Sequence, residues 1–297
     1  HFRLRSTLDP MIARPLLTSE KLRRSLAELR LSGPPVLEGD VWGVWREVER
    51  TGLDVRLAAT NFVYRNEAIE SVSGRLQFTN LLLSFTDAEL HSLGWAVVPG
   101  GAFDIATHRL SFTNTRTHLD PLRVARVIGE KSAKVMSNYL FGVPPHVTLH
   151  GVIGVGTNLS ATDIRVTADA PEFHWWRLGL TNARAKLHFL GETLALTDLT
   201  TDLHGGKAEA DLYFDWAKRH PGVDIRGQVG VTNLHLAGLM QTVASPSNHL
   251  EGFLQGQAHF LGNSTVTNGW AGSGTVEMHD GFLWGIPIFG IFSTLFD

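Results

Sequence analysis

The strongest constraint on the fold of this chain is an internal repeat, in which short motifs return in the same order at a nearly constant spacing. Leu8-Asp9-Pro10 returns as Leu119-Asp120-Pro121, and Pro34-Pro35 returns as Pro144-Pro145. Because chance matches do not keep a constant spacing, we predict successive copies of one structural unit. Further matches follow in the same order: Leu76-Gln77-Phe78 with Leu187-His188-Phe189, Phe85-Thr86-Asp87 with Leu196-Thr197-Asp198, and Phe103-Asp104 with Phe214-Asp215.

The repeat divides the chain into three predicted units. Residues 1–111 form the first unit and residues 112–222 the second. Residues 223–297 form a shortened third unit that ends in an amphipathic segment. A unit of this length exceeds the usual solenoid periods, so we expect each copy to contain several strands and a helix.

Alternation of polar and apolar residues predicts half-buried strands. Residues 182–189 and 207–215 alternate in this way, and turn pairs such as Gly205-Gly206 and Pro221-Gly222 separate such runs. Short helices are predicted at about residues 10–31 and 121–140, since Asp-Pro marks an N-cap and first turn, and also at residues 234–243. The expected fold is therefore mainly β, an elongated, curled antiparallel β-sheet (a β-groove) built from repeats of about 111 residues, each with one short helix.

One face of the predicted sheet carries large apolar side chains. Leaving ten such side chains in water forgoes roughly 15 to 30 kcal/mol, more than the ~5 to 15 kcal/mol by which a domain is stable. The cover is expected to be a second sheet, the same sheet curled on itself, or an apolar ligand. The predicted inward residues are Leu187, Phe189, Leu194, Leu196, Leu212, Phe214, Leu254, Phe260, Val276 and Met278.

Composition narrows the classes of function. The net charge is -3 with neutral His, so no basic field attracts nucleic acid. The chain has no Cys, which excludes disulfides, thiolate catalysis and Cys-based zinc sites. The first residue is His1 and the last is Asp297, within an apolar stretch, and we expect the chain to be a piece of a longer protein.

Catalytic and metal-binding patterns are weak. The glycines of residues 151–156 have the wrong spacing for a dinucleotide loop and alternate like a strand. The 14 His residues are scattered, and Asp87 and Asp198 are expected to serve a repeated turn or strand end. We therefore predict no catalytic residue, no metal site and no cofactor, and we expect that the chain is not an enzyme.

The C-terminal stretch from Asp280 to Phe296 has no charge after Asp280, but it is short and contains Pro287. One interpretation is an amphipathic segment that contacts a membrane interface or the end of the apolar groove through Phe289, Phe292 and Leu295. The other is a helix packed on the sheet.

The residues Gly272-Ser273-Gly274-Thr275-Val276-Glu277-Met278-His279-Asp280-Gly281-Phe282-Leu283, followed by Ile286-Pro287-Ile288-Phe289-Gly290, resemble the C-terminal region of AsmA-like proteins. These proteins, relatives of TamB, belong to the Gram-negative envelope. The likeness covers residues 160–297 and extends to residues 1–159 through the repeat.

The resemblance implies bridge-like lipid transfer, with an apolar groove that carries phospholipid acyl chains between the inner and outer membrane. It implies a periplasmic protein that is anchored in the inner membrane through parts of the parent outside this piece, and it brings no catalytic residues. Envelope proteins are possible partners under this hypothesis. The alternative is a periplasmic scaffold or assembly factor for outer-membrane proteins, acting through sheet-edge contacts. A third class, a carbohydrate-active β-solenoid enzyme, is disfavoured because no short coil repeat or carboxylate cluster is present.

Overall fold

The computed structural model describes residues 1–12, 20–44, 47–156, 158–217, 221–243 and 251–281. The fold is mainly β, with 67% of residues in strands, and the 17 strands within these ranges belong to one antiparallel sheet that is not closed. The prediction of a mainly antiparallel β fold is therefore confirmed. The chain contacts divide it into two compact units, which do not coincide with the predicted repeat boundaries, so those boundaries stay a sequence prediction.

Unit 1 comprises His1–Ser137 and Pro144–Ile164. Its strands pair in the order β1, β3, β4, β5, β6, β7, β8 and β10, and the short strand β2 also pairs with β4. The bounds are β1 Phe2–Ser6, β2 Leu29–Leu31, β3 Val36–Val44, β4 Glu47–Tyr64, β5 Glu67–Thr79, β6 Leu82–His91, β7 Trp95–Asp104, β8 Arg109–His118 and β10 His146–Gly154.

Unit 2 comprises Asn138–Val143 and Arg165–Asp297. Strands β12 to β17 pair in chain order, and the short strand β9 pairs with β11. The bounds are β9 Tyr139–Phe141, β11 Asp163–Trp175, β12 Leu178–Leu190, β13 Thr193–Leu203, β14 Gly206–Asp215, β15 Asp224–His235, β16 Phe253–Asn263 and β17 Val266–His279.

The helices are shorter than predicted. The described helices are α1 Glu20–Ala27, α2 Pro121–Ile128, α3 Glu130–Met136 and α4 Leu236–Val243. The helix predicted to reach residue 31 ends at Ala27, because Leu29 already pairs with Tyr64 in the sheet. The helix predicted over 121–140 is broken at Gly129, whose φ of 152° is incompatible with a helix. Residues 13–19, where the first helix was predicted to begin, lie outside the described residues.

The start of α2 follows the sequence prediction. Asp120 is the N-cap, and its Oδ1 accepts a hydrogen bond from the N–H of Leu122 at 2.9 Å. Pro121 occupies the first helical position, where its missing N–H has no partner to lose. Asp9 makes the matching contact in the first copy, since its Oδ1 accepts from the N–H of Met11 at 2.8 Å.

Several elements recur at the spacing found in the sequence. Strands β5, β6 and β7 begin one repeat length before β12, β13 and β14, respectively. Within β6 and β13, Asp87 and Asp198 have left-handed φ angles of 50° and 54°. The ladder shifts register beside each of them, as at a β-bulge. The prediction of a turn or strand end at these Asp residues is wrong, because both lie inside strands.

Each unit is held together at one end of its strands by a helix. In unit 1 the buried carboxylate of Glu67 accepts hydrogen bonds from Arg123 Nε at 2.6 Å and from Arg126 Nη1 at 3.1 Å, both on α2. Burial raises the pKa of Glu67, but the two arginine hydrogen bonds outweigh burial and leave the pKa below its usual value. In unit 2 the buried residues Leu180, Leu203 and Leu234 form the core beside α4.

We predict that Glu67→Ala lowers the free energy of unfolding by about 2 kcal/mol, because it removes the charged hydrogen bonds of two arginines and leaves Arg123 partly buried with only backbone carbonyl partners. Urea unfolding followed by circular dichroism measures the change. Glu89→Ala is the control, since Glu89 is exposed on β6. Equal unfolding midpoints for the two variants would contradict the assigned role of Glu67.

Candidate apolar binding face

The predicted inward residues of β12, β13 and β14 lie side by side on one face of the sheet. Leu187 is directly opposite Leu196, and Leu196 is directly opposite Leu212. Phe189, Leu194 and Phe214 form a second row of the same kind. Because directly opposite residues in antiparallel strands point to the same side, these six side chains share one face.

The remaining four predicted residues extend the same face. Leu212 is opposite Gly227, which is opposite Phe260. In the pairing of β16 with β17 the register continues without interruption from Phe260 to Leu254, and Leu254 is opposite Met278. Val276 lies two residues before Met278 on β17 and therefore on the same side. The structure thus brings all ten predicted side chains to one face, which we call the apolar face of unit 2.

Only part of the apolar face of unit 2 is covered by the chain itself. Leu236 and Met240 of α4 pack against Leu254 and Met278. Within the described residues, the packing clusters around α4 include none of the other eight predicted side chains. None of the ten is buried, and Val276 is 67% exposed. Among the described residues, α4 therefore covers only the strand end at Leu254 and Met278, and the other side chains of the face stay half-buried or exposed.

The opposite face of the same strands is polar. Arg226 lies over the ring of Tyr213, with 4.1 Å from its Cζ to the ring centroid. The side-chain amide of Gln228 donates to Asp211 Oδ2 at 2.8 Å. A single sheet layer therefore presents one hydrated face and one apolar face.

Unit 1 carries an apolar face that the sequence analysis did not single out. One cross-strand row consists entirely of large apolar residues, and a second row combines them with glycines. The internal repeat was the signal that could have found them, because Leu76, Phe78 and Phe103 lie one repeat before Leu187, Phe189 and Phe214. The first row is Phe2, Val41, Leu53, Phe78, Leu83, Phe103, Leu110 and Ile153, and the second is Leu4, Gly39, Val55, Leu76, Phe85, Gly101, Phe112 and Gly151.

Glycines make room for the large side chains of these faces. A Cβ at Gly101 would lie 2.4 Å from the ring of Phe85 and 2.6 Å from the carbonyl oxygen of Ser111. A Cβ at Gly227 would lie 2.5 Å from Leu212 Cδ2. The large side chains therefore lie over neighbouring strands instead of standing apart, which keeps each face continuous.

The polar face of unit 1 contains a hydrogen-bonded ion pair between Asp54 and Arg75. Asp54 accepts hydrogen bonds from Arg75 Nε at 2.7 Å and from Gln77 Nε2 at 2.9 Å. These bonds lower the pKa of Asp54 to about 2. The carboxylate is thus ionised at neutral pH, and it links β4 to β5 on the side of the sheet away from the apolar rows.

A histidine lies under the helix that covers unit 2. His204, in the turn between β13 and β14, contacts Gly238 and Thr242 of α4, with 3.4 Å between its Nε2 and Thr242 Oγ1. Burial lowers the pKa of His204, and the nearby His235 lowers it further. His204 is therefore neutral at pH 7, and α4 rests on an uncharged ring.

The other sequence predictions have different outcomes. Phe289, Phe292 and Leu295 lie outside the described residues, so their assignment to a membrane or groove-end contact stays a prediction. His118 and His146 stack with ring centroids 4.2 Å apart, a pairing that the scattered positions in the sequence did not indicate. In the described part of the chain no group of three or more His, Asp or Glu side chains is arranged to hold a metal ion.

Glycines 151 and 154 lie in strand β10, which confirms the strand interpretation for residues 151–154, whereas Gly156 lies in a turn beyond the strand end. As for helices, none within the described ranges combines the length and the apolar character needed to cross a bilayer.

Comparisons with protein-family models, curated proteins and solved structures find no match to this chain.

We predict that Gly101→Ala lowers the free energy of unfolding by about 1 to 3 kcal/mol, because its Cβ would overlap a ring and a backbone oxygen on adjacent strands. Thermal unfolding measures the shift. The neighbouring Gly100→Ala is the matched control, since the nearest atom to a Cβ there is 4.0 Å away. A loss at Gly100 as large as that at Gly101 would contradict close packing on the apolar face.

We also predict that the contact of α4 with the sheet weakens in acid. Since the folded pKa of His204 is lowered, the unfolded chain binds more protons, and the stability contributed by the neutral ring is lost as the pH falls below about 6.5. Amide hydrogen exchange in α4, measured between pH 7 and pH 5 and corrected for intrinsic rates, should show this loss. His204→Gln should remove the pH dependence, whereas His259→Gln, exposed on the polar face, should keep it.

Proposed function

We propose that the apolar faces bind phospholipid acyl chains, and that the protein transfers lipid without performing chemistry on it. The observation that carries this proposal is a continuous apolar face on a single sheet layer in each unit, of which the packing clusters around α4 in unit 2 include only Leu254 and Met278 among the described residues. An open face of this kind needs a cover, and a hydrocarbon chain supplies one.

The chemistry of the rows favours an acyl chain over a polar ligand. The two cross-strand rows of unit 1 contain only apolar residues and glycines, and the rows from Phe189 and Leu187 in unit 2 are likewise uncharged. A hydrocarbon chain gains about 0.8 kcal/mol for each CH₂ group that it buries. A headgroup finds no polar partner on these rows, so binding depends on the acyl chain, and the headgroup stays in water.

The cellular setting of the proposal comes from the AsmA-like resemblance. Under this proposal the protein acts in the periplasm of a Gram-negative envelope, and the full-length parent is anchored in the inner membrane. The proposed cargo moves between the inner and outer membrane along the apolar faces. The proposal needs no catalytic residue and no cofactor, because the acyl chain is held by burial alone.

Native mass spectrometry of the purified chain tests the proposal. We expect wild type to carry phospholipid and to bind a fluorescent phosphatidylcholine added to the delipidated protein. Leu187→Asp or Phe214→Asp should lower both signals, because covering a carboxylate with a hydrocarbon chain removes it from water without giving it a partner. Tyr213→Asp is the matched control, since Tyr213 is adjacent to Phe214 and points to the polar face.

The result that would overturn the proposal is wild-type protein that neither carries lipid nor binds the fluorescent lipid. Circular dichroism of each Asp variant separates loss of binding from loss of fold. Photocrosslinking groups at the apolar face should yield lipid adducts. Protein adducts alone would instead favour the alternative of an assembly factor that acts through sheet-edge contacts.

A further inference from the structure

The turn between β11 and β12 exposes two adjacent tryptophans. Trp175 is 52% exposed and Trp176 is 53% exposed. Tryptophan is usually buried over most of its surface, so two half-exposed indoles in sequence are unusual for a turn. The local fold does not require them, because a turn of this kind favours small and polar residues.

Apolar residues of β9 enlarge this exposed group. Tyr139 is opposite Trp175 and Leu140 is opposite His174, and Leu140 is 59% exposed. Since successive residues in a strand point to opposite faces, Tyr139 and Leu140 lie on different sides of the sheet. Large apolar side chains thus surround this strand end on both sides. A surface that approaches the strands end-on can cover both sides, whereas one that packs face-on covers only one.

Arg177 supplies the only charge within the turn. Its Cζ lies 5.3 Å from the centroid of the Trp176 ring. Across the described residues no carboxylate is paired with Arg177. Indole rings beside an unpaired guanidinium are the combination that suits a membrane interface, where the rings enter the headgroup region and the cation meets phosphate.

The equivalent turn of unit 1 is built differently. Tyr64 and Arg65 stand one repeat before Trp175 and Trp176. Arg65 donates to the carbonyl oxygens of Val127 at 2.9 Å and Ile128 at 2.8 Å, and it pairs with Glu28. Arg65 of this turn is therefore tied to α2 and to Glu28 of the chain itself. In unit 1 the same hairpin forms with an arginine that is hydrogen-bonded to the rest of the chain. Exposed tryptophans are therefore not needed to form the hairpin.

We propose that the tip patch, defined as Tyr139, Leu140, Trp175, Trp176 and Arg177, docks end-on to the interface of a phospholipid bilayer. The indole rings lie among the headgroups, and Arg177 binds lipid phosphate. The tip patch shares no residue with the apolar face of unit 2, so the two proposals can be tested by separate substitutions. It gives the chain a membrane contact within the described residues.

Vesicle flotation with the 297-residue chain tests the proposal. The vesicles contain phosphatidylcholine and phosphatidylglycerol in equal amounts. Wild type should float, and the double variant Trp175→Ala, Trp176→Ala should partition at least about tenfold more weakly, because two rings no longer enter the interface. The double variant Trp175→Phe, Trp176→Phe should keep most of the binding and shows that the hairpin tolerates substitution.

Trp216→Ala is the matched control. Trp216 is 37% exposed at the other end of the strands, where its backbone N–H donates to the carbonyl oxygen of Glu192. This variant should float as wild type does. Arg177→Gln should weaken flotation severalfold and reduce its salt dependence, because one phosphate contact is lost.

Two results would overturn membrane docking at the tip. One is wild type that stays unbound at low salt, and the other is an alanine double variant that floats like wild type. Co-purified lipid measured in the same variants keeps this proposal separate from acyl-chain binding. Loss of flotation with unchanged co-purified lipid supports membrane docking by the tip patch as a property distinct from acyl-chain binding.

Discussion

The structure depends on the register of one antiparallel ladder, which sets apolar residues directly opposite one another. In unit 2, Leu187, Leu196 and Leu212 face one another across three strands. A shift of one strand by one residue would turn all of its side chains to the other face. The apolar pattern therefore specifies the register of the ladder. On the polar face of unit 1, the ion pair between Asp54 of β4 and Arg75 of β5 also favours a single register.

The helices of the two units contact their strands through different kinds of interaction. In unit 1 a charged contact holds α2 at the strand end, through Glu67 and Arg123. In unit 2 an apolar contact places α4 over Leu254 and Met278, with neutral His204 beneath it. In unit 2 the packing clusters around α4 include only two of the ten apolar side chains among the described residues, and the other eight are the basis of the proposed acyl-chain binding there.

Much of this could be predicted because strands reveal their two faces through alternation. All ten residues assigned to the inward face lie on one side, since period-two patterning reports directly on the pleat. The bulges at Asp87 and Asp198 could not be foreseen, because alternation gives no sign of a left-handed residue inside a strand. The break of the predicted helix at Gly129 depends on a backbone angle that composition does not specify.

The sequence by itself determined the repeat, the mainly β class and the side of the strands on which the large apolar residues lie, because these follow from local periodicity and spacing. Only the tertiary structure decided which strands are neighbours and hence which distant residues meet. It brought Arg123 to Glu67 and His118 to His146, and it left Trp175 and Trp176 exposed while tying down Arg65. Contacts between residues far apart in sequence depend on how the elements pack, and no local pattern encodes that packing.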